Sequence, residues 1–143
     1  MSNFSLHPVV AESMKRWHTM IDTRDLSALS NLLSDDVVFR SPMAHTPYPS
    51  APVVAMILST VINVFENFRY HRDFASVDGK NVVLEFSAEV GGKELKGIDM
   101  IQFDEQGKIV EFEVMIRPMS GLQALGEEMG RRVGAFLKDS VKK

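Results

Sequence analysis

The chain has 143 residues, of which 45% are hydrophobic and 24% are charged, and its formal net charge at pH 7 is −3. This size and composition predict one soluble domain over residues 1–143 with a substantial core. Cysteine is absent, which excludes disulfides and thiolate sites. The sequence shows no basic run, so we expect no nucleic-acid partner. It also shows no secretion signal and no apolar span of about 20 residues, so we expect a cytoplasmic protein without a membrane partner.

Helical spacing of apolar residues dominates the first half of the sequence. After Pro8, apolar residues recur every three or four positions as far as Ile21, which predicts an amphipathic helix of about four turns. Asp25 is a suitable N-cap for a short second helix, and a short strand follows over Val37–Arg40. The segment 41–52 is rich in proline and predicts a rigid loop, and the apolar face after it predicts a third, largely buried helix.

Alternation of apolar and polar residues then predicts four strands, over residues 68–77, 82–90, 95–103 and 110–117. Asp-Gly and Gly-Gly pairs supply hairpin turns between the first three strands, and a last helix is predicted over residues 120–139, after a core of residues 8–118. Helices followed by hairpin-connected strands indicate an α+β fold. We expect a curved, mostly antiparallel sheet wrapped around helices, forming a cone with an internal cavity and a C-terminal helix.

Asp99 is the most informative residue of the sequence. In a strand, it shares a face with apolar neighbours that include Leu95, Ile101 and Phe103. A carboxylate buried without a partner is costly, so Asp99 must find a hydrogen-bond partner, shift its pKa or line a cavity. Two interpretations follow: a buried aspartate satisfied by backbone or by an arginine, or the main ionisable group of a small-molecule pocket.

The apolar phase of the other strands defines the walls of such a pocket. Placed toward the helices, this phase brings Asp99 together with Phe86, Ile101, Phe112, Val114 and Ile116, and Trp17 of the first helix can reach the same space. An apolar cavity with few polar groups is the usual form of a small-molecule site. Desolvation should raise the pKa of Asp99, so that it can donate or accept a proton near neutral pH.

The remaining histidines and acids give weaker indications. His45 lies in the proline-rich loop, where it can reach the pocket rim or remain solvated. No pair of histidines has the spacing of metal ligands, and no nucleotide-binding or nucleophile motif is present, so we expect neither a metal nor another cofactor.

Two further patterns suggest contact with a second subunit. The outward positions Ile98, Met100, Ile109 and Met115 are apolar, whereas a solvated sheet face should be polar; a two-fold homodimer through the outer sheet face would explain this. Gly126, Gly130 and Gly134 form a stripe on the last helix, at a cost of about 1 kcal/mol each relative to alanine. The stripe indicates close approach of another backbone, or else a weakly formed helix.

The segments DTRDLSALSNLLSDDVVFRSP and GIDMIQFDEQGKIVEFEVMIRP, together with the order of helices and strands, resemble the nuclear-transport-factor-2-like superfamily and in particular its SnoaL-like members. The resemblance covers residues 8–118. It implies an α+β cone (a cystatin-like roll) with an internal pocket, commonly dimeric through the sheet.

The same resemblance assigns roles to individual positions. In ketosteroid isomerases of this superfamily, a carboxylic acid that an apolar site keeps protonated corresponds to Asp99. The catalytic base, an aspartate before a proline, corresponds to Ser41, and the oxyanion-binding tyrosine corresponds to Trp17. These two departures argue against steroid isomerisation. Polyketide cyclases use an acidic residue on this sheet face, and Asp99 is compatible with that role. The second aspartate of the epoxide hydrolases corresponds to Val114, so their catalytic set is absent here.

Two hypotheses therefore stand. The first is an isomerase- or cyclase-like enzyme that transfers a proton on a small hydrophobic molecule with Asp99 as acid or base. The second is a non-catalytic domain of the same fold that binds a hydrophobic ligand or mediates dimerisation. The residues predicted to bind the ligand are Trp17, Ser41, His45, Phe86, Ile101, Phe112, Val114 and Ile116.

Overall fold

The computed structural model describes residues 6–142, with side chains to residue 136; residues 1–5 and 143 of the predicted domain lie outside the described residues. The helices are α1 (Pro8–Thr23), α2 (Ala51–Val64) and α3 (Met119–Lys142). The strands are β1 (Leu33–Arg40), β2 (Tyr48–Pro49), β3 (Glu66–Ala75), β4 (Asn81–Val90), β5 (Lys93–Phe103) and β6 (Ile109–Arg117). None of the described helices is both long enough and apolar enough to cross a membrane.

The six strands form one mixed sheet in the order β2-β1-β6-β5-β4-β3. Within the described chain, β1 runs parallel to β6 and the other four pairings are antiparallel. The helices pack on the inner face of this curved, unclosed sheet, and the predicted α+β fold with a C-terminal helix is confirmed.

Helix α1 shows how the sequence directs packing. Its buried apolar residues are Val10, Met14, Trp17 and Met20, which recur at a spacing of three or four positions. Each fully buried apolar side chain of this size contributes about 1.5–3 kcal/mol relative to an exposed one. This stripe therefore fixes α1 against the inner face of the sheet and points Trp17 into the molecule.

The predicted second helix is wrong in length and type. The structure has only a single 3₁₀ turn over Leu29–Asn31, and the following strand begins at Leu33 rather than at Val37. The Asp25 carboxylate accepts a hydrogen bond from the backbone N–H of Ser27, which makes a local turn instead of a helix cap. The carbonyl of Leu32 accepts the N–H of Ile109, so the chain is already held against β6 at this point.

The predicted outward position of Ile109 is also wrong. The pairing of β5 with β6 shifts after Gln102, so that Phe103 lies opposite Ile109 and Val110 is the extra residue of a bulge. A one-residue insertion exchanges the two faces of a strand. Ile109 is consequently fully buried in the main core.

The outer face of the sheet combines exposed apolar side chains with one buried ion cluster. Met100 and Met115 are 36% and 47% exposed. Beside them Glu85 is buried between Arg72 and Lys96, with its carboxylate 2.7 Å from Arg72 Nε and 3.2 Å from Lys96 Nζ. The hydrogen bond from Arg72 is the main reason that the pKa of Glu85 falls to about 2.

Candidate ligand-binding and proton-transfer site

A cavity of about 650 Å³ lies between the inner face of the sheet and the three helices. Its lining is mainly apolar and comes from all three described helices and from strands across the width of the sheet. The principal contributors are Trp17 and Ile21 of α1, Leu58, Val61 and Ile62 of α2, Phe68 and Tyr70 of β3, Asp99 of β5, Phe112, Val114 and Ile116 of β6, and Leu125 and Met129 of α3. Volumes of about 300–1,000 Å³ are typical of sites for drug-sized molecules.

Asp99 is the one carboxylate among the described lining residues, and Lys, Arg and His are absent from that lining. Strand β5 places it opposite Leu84 on one side and Val114 on the other, on the inner face as predicted. Its residue exposure is 6%. A carboxyl group surrounded in this way has little contact with water that could stabilise its charge.

Tyr70 is the hydrogen-bond partner of Asp99. Its hydroxyl donates to Oδ2 of Asp99 at 2.6 Å and accepts a hydrogen bond from Nε1 of Trp17 at 3.0 Å. A single hydroxyl therefore satisfies two buried polar groups at once. Among the described residues, Oδ1 of Asp99 accepts no hydrogen bond. Since no buried side-chain nitrogen or oxygen of these residues lacks a partner, Oδ1 is open to the cavity and available to a molecule there.

The pKa values of Asp99 and Tyr70 are shifted mainly because both side chains are buried. Desolvation raises the pKa of Asp99 to about 7, although the hydrogen bond from Tyr70 lowers it in part. Desolvation and the adjacent carboxylate raise the pKa of Tyr70 well above its usual value, so the phenol stays neutral. At neutral pH, Asp99 therefore exchanges between its acid and its base form, as a proton-transfer group must.

Six of the nine residues predicted for the site lie together at the cavity. Asp99, Trp17, Ser41, Phe112, Val114 and Ile116 all line it. The Ser41 hydroxyl accepts a hydrogen bond at 3.0 Å from the backbone N–H of Met43.

The other three predicted residues do not line the cavity. His45 is exposed, because the proline-rich loop directs it to solvent. Phe86 faces inward but is covered by the rings of Phe65 and Phe68, whose centroids lie 5.5 and 5.1 Å away. Ile101 also faces inward, opposite Phe112, and is only 2% exposed within the main core. The correct face of a strand therefore does not guarantee contact with the cavity.

Sequence reasoning missed Tyr70. Its strand was predicted, and alternation with Phe68 would have placed both rings on one face. The strand pairing shifts between Tyr70 and Asp73, however, so no single alternation runs through β3. Other lining residues that were not predicted for the site include Tyr48 from the short strand β2 and the glycine stripe of α3.

The geometry offers no place for a metal among the described residues, since no three or more His, Asp or Glu side chains cluster to bind one. The Asp99–Tyr70–Trp17 chain contains a single carboxylate and no second ligand. What the arrangement supplies is one proton acceptor or donor in an apolar cavity.

Comparison with known proteins agrees with this architecture. The family model that describes the SnoaL-like domain matches residues 14–112 of the sequence. A crystal structure of a steroid delta-isomerase from Pseudomonas aeruginosa is 65% identical, with a TM-score of 0.89, over 93% of this chain and 97% of that chain. A protein with a cystatin-like fold from Silicibacter pomeroyi is 32% identical, with a TM-score of 0.82, over 90% and 93% of the two chains.

A nuclear-transport-factor-2-like protein from Mesorhizobium loti is 17% identical, with a TM-score of 0.69, over 80% of this chain and 99% of that chain, and shows the shared fold. No curated protein matches the chain significantly in sequence.

Proposed function

We propose, for a chain that belongs to the SnoaL-like domain family, that the cavity binds a small uncharged hydrophobic molecule and that Asp99 transfers a proton on it. The reaction is of the isomerase type. Proton transfer to or from a positioned side chain is most effective when the pKa of that side chain lies near the working pH. The pKa of Asp99, raised by burial to about 7, meets this condition.

The observation that carries the proposal is the arrangement of the two carboxylate oxygens. Oδ2 is held by Tyr70, which fixes the orientation of the group, and Oδ1 has no partner among the described residues. No buried side-chain nitrogen or oxygen of the described residues lacks a hydrogen-bond partner, so the unpartnered Oδ1 is open to the cavity and not sealed in the core. The open oxygen is therefore the atom that we assign to the substrate proton.

The chemistry is a shift of one proton along an unsaturated ketone. Asp99 as carboxylate removes a proton from the carbon between the carbonyl group and the double bond. The C–H electron pair moves toward the carbonyl oxygen and forms a dienolate, while Oδ1 gains the proton. Asp99 returns this proton to the far end of the former double bond, so the product is the conjugated ketone. The net charge and the atom count are unchanged.

Tyr70 can support the charge that develops in this cycle. While Asp99 is ionised, the Tyr70 hydroxyl donates to it at 2.6 Å. Once Asp99 has taken the proton it is a weaker acceptor, because hydrogen bonds to ionised groups are about twice as strong as neutral ones. The same hydroxyl is then able to donate to an oxyanion in the cavity, with Trp17 holding its oxygen in place.

The similarity to a protein called steroid delta-isomerase supports an isomerase-type reaction. Ser41 occupies the position that the family resemblance gives to a catalytic aspartate, and Trp17 occupies that of an oxyanion-binding tyrosine. On the proposed mechanism Asp99 must therefore both remove and return the proton. For this reason we do not propose a steroid as the natural substrate, and the steroid ketone in the experiments below serves as a large probe of the cavity.

A second candidate function is binding without chemistry. The Ser41 hydroxyl accepts a hydrogen bond from the Met43 N–H and cannot replace a carboxylate as a base. The described lining contains no second carboxylate and no histidine that could share the proton transfer with Asp99. In this case, Asp99 and Tyr70 would only recognise a carbonyl or hydroxyl group of the ligand.

The variant Asp99→Asn separates the two functions. The protein is mixed in deuterium oxide with a β,γ-unsaturated cyclohexenone and with a four-ring steroid ketone of the same type, and NMR follows deuterium uptake and movement of the double bond. We expect the native chain to accelerate exchange and Asp99→Asn to lose at least a hundredfold of that rate while it still binds the ketone. Asp73→Asn, at an exposed site on β3, is the matched control.

Binding without exchange in the native chain would support the second function. Equal exchange by the native chain and Asp99→Asn would refute the proposed role of this carboxyl group. Trp17 is the only tryptophan and lines the cavity, so quenching of its fluorescence reports binding in both proteins.

A further inference from the structure

Three of the four glycines of α3, those of the stripe, lie against the cavity. Gly126, Gly130 and Gly134 all belong to its lining. A Cβ atom at Gly126 would overlap the end of the Met43 side chain, which explains the glycine there by close packing. A Cβ atom at Gly130 or at Gly134 would have no described atom within 4 Å. These two glycines therefore border open space.

Neither of these two glycines is required by a neighbour within the described chain. Each one weakens the interior of a helix relative to alanine. No unusual backbone angle requires them, since the described glycines with positive φ lie in turns, at Gly79, Gly91, Gly92 and Gly107. The predicted alternative of close approach by another backbone is not realised within the described chain. What remains next to Gly130 and Gly134 is the cavity.

The same cavity contains an independent sign of a ligand, the open oxygen of Asp99. Asp99 is 6% exposed, and its hydrogen-bond partner among the described residues is Tyr70 at Oδ2, so Oδ1 is open to the cavity. The polar end of a bound molecule would lie beside Asp99 and the Tyr70 hydroxyl. Gly130 is exposed to solvent as well as lining the cavity, so the cavity opens beside α3.

The size of the cavity excludes a short ligand as a good fit. A one-ring ketone is smaller than the drug-sized molecules that cavities of about 650 Å³ hold, so it would leave much of this cavity unfilled. Affinity for an apolar molecule comes mainly from the surface that it buries, so a ligand that reaches from β5 to α3 gains most.

We propose that Gly130 and Gly134 form a wall that sets the length of the ligand. A neutral, elongated hydrophobic molecule with a polar group at one end binds with that end beside Tyr70 and Asp99 and with its far apolar end against these glycines. The inference rests on the proposed function for the anchoring at Asp99. It adds that α3, outside the residues matched by the family model, determines which members of the ligand class are accepted.

The test fills the space beside the glycines. Gly130→Leu and Gly134→Leu are compared with Gly130→Ala and with Gln123→Leu, which is exposed on the same helix outside the cavity lining. Fluorescence of Trp17 gives Kd for the one-ring cyclohexenone and for the four-ring steroid ketone. We expect each leucine variant to weaken binding of the four-ring ketone at least tenfold and to change binding of the one-ring ketone less than twofold. Gly130→Ala and Gln123→Leu should change neither value by more than twofold.

Three outcomes of the affinity measurements would overturn the proposed glycine wall. They are equal losses for both ketones, no loss for either ketone, and a native chain that binds the four-ring ketone no more tightly than the one-ring ketone. A changed oligomer mass in the leucine variants with unchanged affinity would assign the glycines to a subunit contact instead, and also overturns it. Deuterium exchange on the one-ring ketone by the native chain and by Asp99→Asn tests the proposed function without any change at the glycines, so failure of the wall is distinct from failure of that function.

Leucine is a better helix former than glycine, so the variants are expected to fold. Circular dichroism and thermal unfolding check this. Where one leucine variant fails to fold, the other gives the decision.

Discussion

Replacement of Asp99 by asparagine should change how the stability of the protein depends on pH. The pKa of this carboxyl group is raised by burial from 3.8 to about 7 in the folded chain. Between these two values, the folded state binds a proton that the unfolded state has released. Stability contributed at this site is therefore greatest at low pH and falls as the pH rises from about 4 to about 7.

The size of this effect follows from the difference between the two pKa values. It is about 3 pH units, and at 1.36 kcal/mol per unit it corresponds to about 4 kcal/mol of lost stability above neutrality. Between about pH 5 and pH 8, the part that is lost is about 2–3 kcal/mol. Asparagine can accept the hydrogen bond of Tyr70 through its amide oxygen and carries no charge, so Asp99→Asn should escape this loss.

The assay is urea unfolding of the native chain and of Asp99→Asn at several values of pH, followed by circular dichroism. The native chain should lose about 2–3 kcal/mol relative to the variant between about pH 5 and pH 8, because other titrating groups contribute equally to both proteins. The exposed Asp73→Asn should run parallel to the native chain. Curves for Asp99→Asn that run parallel to the native curves would refute the raised pKa and the argument for proton transfer that uses it.

Two further predictions concern the partner of Asp99 and the outer face of the sheet. Tyr70→Phe removes the hydrogen bond that lowers the pKa of Asp99. The pH midpoint of deuterium exchange on the ketone should therefore move upward from about 7. A midpoint that stays or falls would contradict the assigned contact between Tyr70 and Asp99. For the proposed homodimer through the outer sheet face, Met100→Glu combined with Met115→Glu should reduce the mass measured by light scattering to that of one chain. Met119→Glu, at an exposed site on α3, should leave the mass unchanged, and a native mass of one chain rules the dimer out.

Much of the fold could be predicted from the sequence because its strands alternate clearly. The phase of β5 predicted that Asp99 points inward, and it does. Where a bulge interrupts the alternation, the prediction failed, as it did for Ile109 on β6. A bulge depends on how two distant strands pair, and the sequence of one strand does not contain that information.

The depth of a residue in the cone was also beyond the sequence. Phe86 and Ile101 lie on the predicted face but are covered by other core side chains, whereas Val114 on the same face reaches the cavity. Alternation specifies a side of the sheet and not the distance to the helices that close over it. The hydrogen bond of Tyr70 with Asp99 joins two strands separated by β4, so local pattern could not reveal it.

The strongest reason to assign chemistry to Asp99 is that an uncharged residue could make the same structural hydrogen bond with a smaller loss of folding stability. The Tyr70 hydroxyl needs an acceptor at this position, and an asparagine oxygen supplies one without a charge. A carboxyl group with its pKa raised to about 7 instead costs the folded protein several kcal/mol above neutrality, on the order of half of the stability of a typical domain. The one property that aspartate adds is a proton that it can release and recover near neutral pH. A ligand-binding site for a neutral molecule needs only a hydrogen bond, whereas an isomerase needs that proton, and the destabilising carboxyl group therefore favours the enzyme over the passive binder.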